Sequence, residues 1–96
     1  MFTYIIRCMD DSLYCGYTTD IDRRIEEHKK SIGSKYVRAK KYKKTEIVFR
    51  LKSKCDAMKL EKRIKKLKKQ EKEKLIAGDI SLLSSFEIEF SIYFSE

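Results

Sequence analysis

Two helical stripes in this chain are interrupted by polar side chains, and any fold the chain adopts must give them partners. In the segment Ile21-Asp22-Arg23-Arg24-Ile25-Glu26-Glu27-His28, Arg24 and His28 lie four residues apart and share the stripe made by Ile21 and Ile25. Glu61 lies between Leu60 and Ile64, beside the apolar positions of a second, lysine-rich helix. Side chains three and four residues apart point the same way on a helix. Burying Ile21, Ile25, Leu60 and Ile64 therefore draws Arg24, His28 and Glu61 inward. An unpartnered Arg, His or Glu there costs several kcal/mol, against the roughly 5–15 kcal/mol by which a domain is stable. A chain of 96 residues makes one domain with a modest core, and it tolerates three such positions most easily if they do chemistry.

Composition narrows the class. Apolar residues at 42% and charged residues at 40% describe a folded, water-exposed domain rather than a disordered segment. No apolar run approaches the ~20 residues of a membrane helix. Met1-Phe2-Thr3-Tyr4-Ile5-Ile6-Arg7 enters a strand without a signal-peptide layout, so the expected location is the cytoplasm, or the nucleus if the source is eukaryotic. Cys8, Cys15 and Cys55 are odd in number and contain no Cys-x-x-Cys pair. They read as small apolar residues of a reducing compartment, not as a zinc or disulfide framework. The net charge of +8 is unevenly spread: all 23 basic residues and all but three of the 15 acidic ones lie in residues 1–79, a net +11 there. That surplus attracts a polyanion, and nucleic acid is the commonest inside a cell. A membrane surface is not expected, because the basic helices carry no aromatic anchors.

Residues 2–8 and 13–18 read as strands joined in a hairpin around Met9-Asp10-Asp11-Ser12. Gly16 interrupts the second strand, which often marks a close approach of other atoms. A helix is expected from about Asp20 to Lys30, with Thr19 as N-cap and Asp22 three residues on. Residues 31–45 read as a basic loop and 46–51 as a third strand. Ser53 opens a second helix with Asp56 completing its cap, and its inward stripe is Ala57, Leu60, Ile64 and Leu67. Residues 70–77 are either a third helix ending at Gly78 or a continuation of the second. In the tail, Phe86, Ile88, Phe90, Ile92 and Phe94 alternate with polar residues and Tyr93, which predicts an added strand with one apolar face. Left exposed, such a strand favours dimerisation. The expected fold is α/β, a small mainly antiparallel three-stranded sheet in the order β-β-α-β-α-α. Residues 1–79 form its main unit and residues 80–96 an extension.

Taken in order, Thr3-Tyr4-Ile5, Tyr14-Cys15-Gly16, Arg24-x-x-x-His28 and Glu61 on a later helix resemble the GIY-YIG nuclease superfamily. The closer likeness is to its small single-domain bacterial branch, the UPF0213-like proteins of the YhbQ type, which are related to the nuclease domain of Slx1. The likeness covers roughly residues 2–78. It includes Gly16-Tyr17-Thr18-Thr19-Asp20, Gly33-Ser34-Lys35-Tyr36 and the stretch from Ala57 to Lys65. Phe2-Thr3 stands where the name-giving motif has Gly-Ile, Cys15 replaces an aliphatic residue, and the tail from about Ile80 has no counterpart. None of these departures removes a side chain of the expected site.

The resemblance implies an endonuclease that hydrolyses phosphodiester bonds in DNA, in repair or recombination, with RNA left open as a substrate. Its catalytic residues would be Tyr4, Tyr14, Arg24, His28 and Glu61, with Gly16 structural beside them. The residue types suit the task. A single carboxylate with waters and substrate phosphate is a usual way to hold Mg²⁺, and Glu61 would take Mg²⁺ or Mn²⁺. Arg24 can fork onto phosphate oxygens. His28, one turn away, can hydrogen-bond a tyrosine hydroxyl or shuttle its proton. Tyrosine, with a pKa near 10, becomes a base only where cations lower that value, and which of Tyr4 and Tyr14 takes the proton stays open. A hairpin loop of three residues, Asp10-Asp11-Ser12, would put both tyrosines on one sheet face, whereas a two-residue loop would separate them. Lys35, Tyr36, Arg38, Lys40, Lys41, Lys43 and Lys44 are the expected nucleic-acid contacts, with Tyr42 as a stacking aromatic. The alternative is a nucleic-acid-binding module on the same fold without useful catalysis or dependent on a partner. A protein partner for targeting, and a homodimer through the tail, are further expectations.

Overall fold

The computed structural model describes residues 1–95, so Glu96 of the extension lies outside the described residues. The two β-rich runs at the N-terminus form the hairpin their composition predicts: β1 spans Phe2–Cys8 and β2 Leu13–Thr18. Their loop is three residues long but begins one position earlier than expected. The Cys8 amide donates to the Ser12 carbonyl at 2.8 Å, Asp11 closes the turn onto the Cys8 carbonyl at 2.9 Å, and Asp11 itself takes φ 72°. Asp tolerates that left-handed conformation better than most residues, and the Asp10 carboxylate accepts from the Ser12 amide at 3.0 Å. The register that results sets Tyr4 opposite Gly16 and Ile6 opposite Tyr14. An odd-length loop keeps Tyr4 and Tyr14 on one face, displaced along a diagonal.

The sheet has four strands in the order β2-β1-β3-β4, every neighbouring pair antiparallel. This is the expected α/β arrangement, three main strands plus a C-terminal one. Helix α1, Ile21–Lys29, and α2, Lys35–Lys40, lie on one face, where Ile21 and Val37 pack on Tyr4, Ile6, Cys8 and Val48. Helix α3, Lys54–Lys65, and α4, Lys69–Ile76, cover the other, where Ala57, Leu60, Ile64 and Leu75 pack on Ile5, Ile47 and Phe49. Each fully buried aliphatic side chain contributes about 1.5–3 kcal/mol. The Thr3 hydroxyl donates to the Ala57 carbonyl at 2.7 Å and fixes α3, one turn before Glu61, against β1.

Several boundaries differ from the pattern reading, each for a local reason. Asp20, not Thr19, caps α1, because its carboxylate accepts from the Arg23 amide at 3.1 Å. The expected basic loop contains α2: Ser34 accepts from the Val37 amide at 3.2 Å, and fully buried Val37 anchors the turn. Six residues are too few to display a helical period. Strand β3 runs Tyr42–Leu51, longer than residues 46–51, because it pairs along the whole of β1. Helices α3 and α4 are separate. Leu67 turns back onto the Ile64 carbonyl, and the Glu71 carboxylate accepts from the Lys68 amide at 2.8 Å to open α4. A short 3-10 turn at Ile80–Leu83, which no pattern announced, drops Leu83 into the core.

The added strand β4 spans Phe90–Ser95 and pairs with β3, but the single apolar face does not form. A bulge makes Val48 face Phe94 while Phe49 faces Ile92, with Tyr93 the extra residue. Phe90 and Ile92 stay on the α3 side. Phe94 moves to the α1 side, where Tyr93 also lies, its ring 5.0 Å from that of Phe2. A bulge re-aims side chains in this way and twists an edge against further pairing. Tyr93 and Phe94 rim a groove of about 630 Å³ between β4 and α1. Elsewhere Arg7 ties three elements together: its guanidinium, 11% exposed, meets Glu46 of β3 at 2.6 Å, Glu73 of α4 at 2.5 Å and Asp11 of the hairpin loop at 3.0 Å. Among the described residues, no helix is long and apolar enough to cross a membrane.

Candidate active site

Gly16 explains the first feature of the site. A Cβ on it would lie 2.6 Å from the Tyr4 hydroxyl oxygen and 3.0 Å from Cε2 of Tyr14, so the bare glycine lets the Tyr4 phenol lie across β2. The hydroxyl then meets Nε2 of His28 at 2.8 Å. Tyr4 and His28 are 1% and 0% exposed, so this is a fully buried polar pair. The Tyr14 ring completes the cluster, 6.3 Å from Tyr4 and edge-on to His28 at 5.7 Å, and is itself only half-buried. Tyr36 from α2 stacks on Tyr14 with ring centres 5.7 Å apart and planes 26° apart.

The other side of His28 is closed by backbone. A Cβ on Gly33 would fall 2.4 Å from Nδ1, so the loop between α1 and α2 reaches the imidazole only because residue 33 is glycine. Nδ1 is buried and has no hydrogen-bond partner among the described residues. An orphaned N–H costs more than an orphaned lone pair, so the arrangement favours the tautomer with its proton on Nε2, donated to the Tyr4 oxygen. Burial and the Arg24 guanidinium hold the His28 pKa below its ordinary 6.5, partly opposed by Glu27. Burial, and secondarily Tyr14, push the Tyr4 hydroxyl above its usual 10. Near neutral pH the pair is a phenol and a neutral imidazole.

Arg24 and Glu61 reach this pair from different elements. Arg24, on α1, lowers the Tyr4 pKa by its charge, and Glu61, on α3, raises it. Arg24 is held by Glu27, Nε to Oε1 at 3.1 Å, instead of by Asp20, which is occupied as the cap. Glu61 is 18% exposed in its side chain and pairs with Lys65 at 3.5 Å. Glu61 also raises the pKa of buried Cys15 on the α3 side of β2, second to burial, which pushes that thiol up to about 12. The Glu61 charge thus acts from the α3 side of the sheet, on Cys15 more than on Tyr4, for which it is the smallest cause. No group of three or more His, Cys, Asp or Glu is close enough to hold a metal among the described residues. A lone carboxylate beside phenols fits a hard cation completed by water and substrate oxygens, and does not fit zinc.

The basic residues divide. Lys35, Tyr36 and Arg38 are exposed on α2, of which Tyr36 stacks on Tyr14. Lys40 pairs with Asp10 at 3.0 Å and Lys44 with Glu46 at 3.4 Å, near the hairpin loop. Lys41 ends α2 with φ 69°, and Lys43 is exposed on β3. Tyr42 is half-buried with its hydroxyl 2.8 Å from that of Thr45, so it is not an open stacking surface. Two residues that bear on the site carried little sequence signal. Glu27 is one of many carboxylates, marked only by its i+3 spacing from Arg24, and Gly33 is an ordinary loop glycine until the imidazole lies against it.

Comparison with known proteins bears on the family and the fold. A family model described as the GIY-YIG catalytic domain matches residues 1–74. A UPF0213 protein of Vibrio cholerae is 46% identical over 80 residues, spanning 80% of this chain and 77% of the relative. One from Cronobacter sakazakii is 42% identical over 82 residues, spanning 83% and 84%. The solution NMR structure of a UPF0213 protein from Bacillus halodurans superposes with a TM-score of 0.52 at 34% identity, covering 92% of this chain and 97% of that one.

Proposed function

Because the chain belongs to the GIY-YIG catalytic-domain family, a nuclease superfamily, we propose that it is a divalent-metal-dependent endonuclease that hydrolyses phosphodiester bonds in DNA, in repair or recombination. Residues 1–79 form its catalytic unit. The observation that carries the reading is the buried Tyr4–His28 hydrogen bond of 2.8 Å beside the Tyr14 ring, with Arg24 one turn before His28 on the same helix.

The two tyrosines take different parts. Tyr4 is buried, its hydroxyl pKa is raised, and it stays protonated at neutral pH. With Nε2–H of His28 donated to its oxygen, the Tyr4 proton is free to be given to a substrate or water oxygen. His28 cannot pass a proton onward, since Nδ1 ends against Gly33, so its part is to hold Tyr4. Tyr14, the more exposed, is the phenol placed to orient the attacking water and, as its phenolate, to take the water's proton. Arg24 leaves Glu27 to fork onto the scissile phosphate and stabilises the charge that develops there. Glu61 would hold Mg²⁺ or Mn²⁺ with water and phosphate oxygens, and that ion, when bound, supplies Lewis-acid stabilisation of the phosphate.

Cleavage of single-stranded, duplex, flapped and four-way-junction DNA in Mg²⁺ and in Mn²⁺, beside Glu61→Ala, tests the reading. Metal-dependent cutting lost in the variant is expected. Equal binding by both proteins with no cutting on any substrate overturns it in favour of a non-catalytic or partner-dependent binding module on the same fold.

A further inference from the structure

Tyr36 is stacked on one side only. Its inner face lies on Tyr14 at 5.7 Å and 26°, while the residue is 41% exposed. The other large hydrophobic side chains that reach solvent are aliphatic or lie on β4, at the opposite edge of the sheet. An exposed aromatic ring usually tucks its face away, because open apolar surface gains nothing from water. Here the ring is held out by its helix: Ser34 caps α2 and buried Val37 pins it, which sends Tyr36 over Tyr14, and among the described residues no second ring stacks on it. Lys35 and Arg38 flank it on the same short helix, both exposed and without a carboxylate partner among the described residues. An exposed aromatic face on a helix that also carries unpaired cations is the pattern by which proteins hold an unpaired nucleobase and its neighbouring phosphates.

We propose that the outer face of Tyr36 stacks an unpaired nucleobase adjacent to the scissile phosphate, so that the enzyme selects DNA with a single-stranded nucleotide at the cut and disfavours continuous duplex. The inference rests on the nuclease reading and deepens it by naming the substrate class. Stacking continues the row Tyr36–Tyr14–His28, which fixes the nucleotide beside the phenol that activates water. A base inside a duplex is already stacked on both faces and must be unpaired and extruded first, at a cost of a few kcal/mol. A base in a flap, a single strand or a junction crossing is free of that cost.

The test measures dissociation constants by fluorescence anisotropy in EDTA, so that binding is read without cleavage. The probes are a 20-nucleotide single strand, the same sequence as a blunt duplex, and a flapped duplex, with wild type, Tyr36→Ala, Tyr36→Phe and Tyr36→Trp. Tyr36→Ala is expected to weaken binding to the single strand and the flap about 5- to 150-fold, the measured range for losing one base–aromatic stack, and to leave the duplex unchanged. Phe and Trp are expected to restore binding. An abasic site at the flap's unpaired junction nucleotide should bring the wild type down to the Ala variant. Equal losses on all three probes, or no loss on any, overturn the stacking proposal while leaving the nuclease reading standing. A wild type that binds none of the probes removes the nuclease reading and the stacking proposal together.

Discussion

The smallest parts of the site are two missing methyl groups. Gly16 and Gly33 are required by contact, since a Cβ at either would lie under 3.0 Å from Tyr4 or His28. Gly33→Ala is expected to displace the imidazole, cost about 1–3 kcal/mol as an overpacked core does, and reduce cleavage; urea unfolding and a cleavage assay check both. His28 gives a pH signature. Its folded pKa lies below 6.5, so between 6.5 and that lower value the unfolded chain binds a proton that the folded one refuses. Stability is therefore full above 6.5, falls on acidification through that window, and is flat again below it. Urea unfolding at pH 7.5, 6.0 and 5.0 should show the fall in wild type and lose it in His28→Gln. The tyrosines separate by role as well: Tyr14→Phe should lower kcat by about 10²–10⁴-fold, the usual worth of a general base, as read from single-turnover cleavage.

At the scale of elements, what the sequence showed depended on how many residues carried each pattern. The hairpin, α1, α3 and the order of the site residues were legible because strand composition, caps and helical stripes span six residues or more. Helix α2 was not, because six residues with one buried position make no stripe. The tail's alternation was real, yet a bulge at Tyr93 overrode it, and no local signal marks a residue that will bulge. The Arg7 cluster was likewise invisible, because its carboxylates come from positions 11, 46 and 73. Glu46 is 4% exposed, so removing Arg7 leaves a buried carboxylate with only the longer Lys44 contact of 3.4 Å. Arg7→Leu should destabilise the fold by about 3–5 kcal/mol, read from urea midpoints, and more than Lys52→Leu, whose partner Glu89 is open to water.

Across the whole molecule, charge is sorted by position. The net +11 lies in residues 1–79, and the tail's three charges are all acidic. Binding to nucleic acid should therefore weaken steeply with salt. Neutralising Lys35 and Arg38 together, as Gln, is expected to reduce the slope of log K against log[salt] by about 1.4–1.8, two phosphate contacts' worth, while Lys29→Gln, whose ammonium pairs with Glu26 and lines the groove beside β4, leaves it unchanged. The sheet order carries one more consequence. The tyrosine cluster belongs to the β2 edge and the tail to the β4 edge, three strand spacings or about 14 Å across. A molecule built this way keeps its chemistry and its outermost strand on separate margins. A small dye on exposed Ser95 of β4 would stand on the margin opposite the tyrosine cluster, which makes the tail a handle for watching this protein bind.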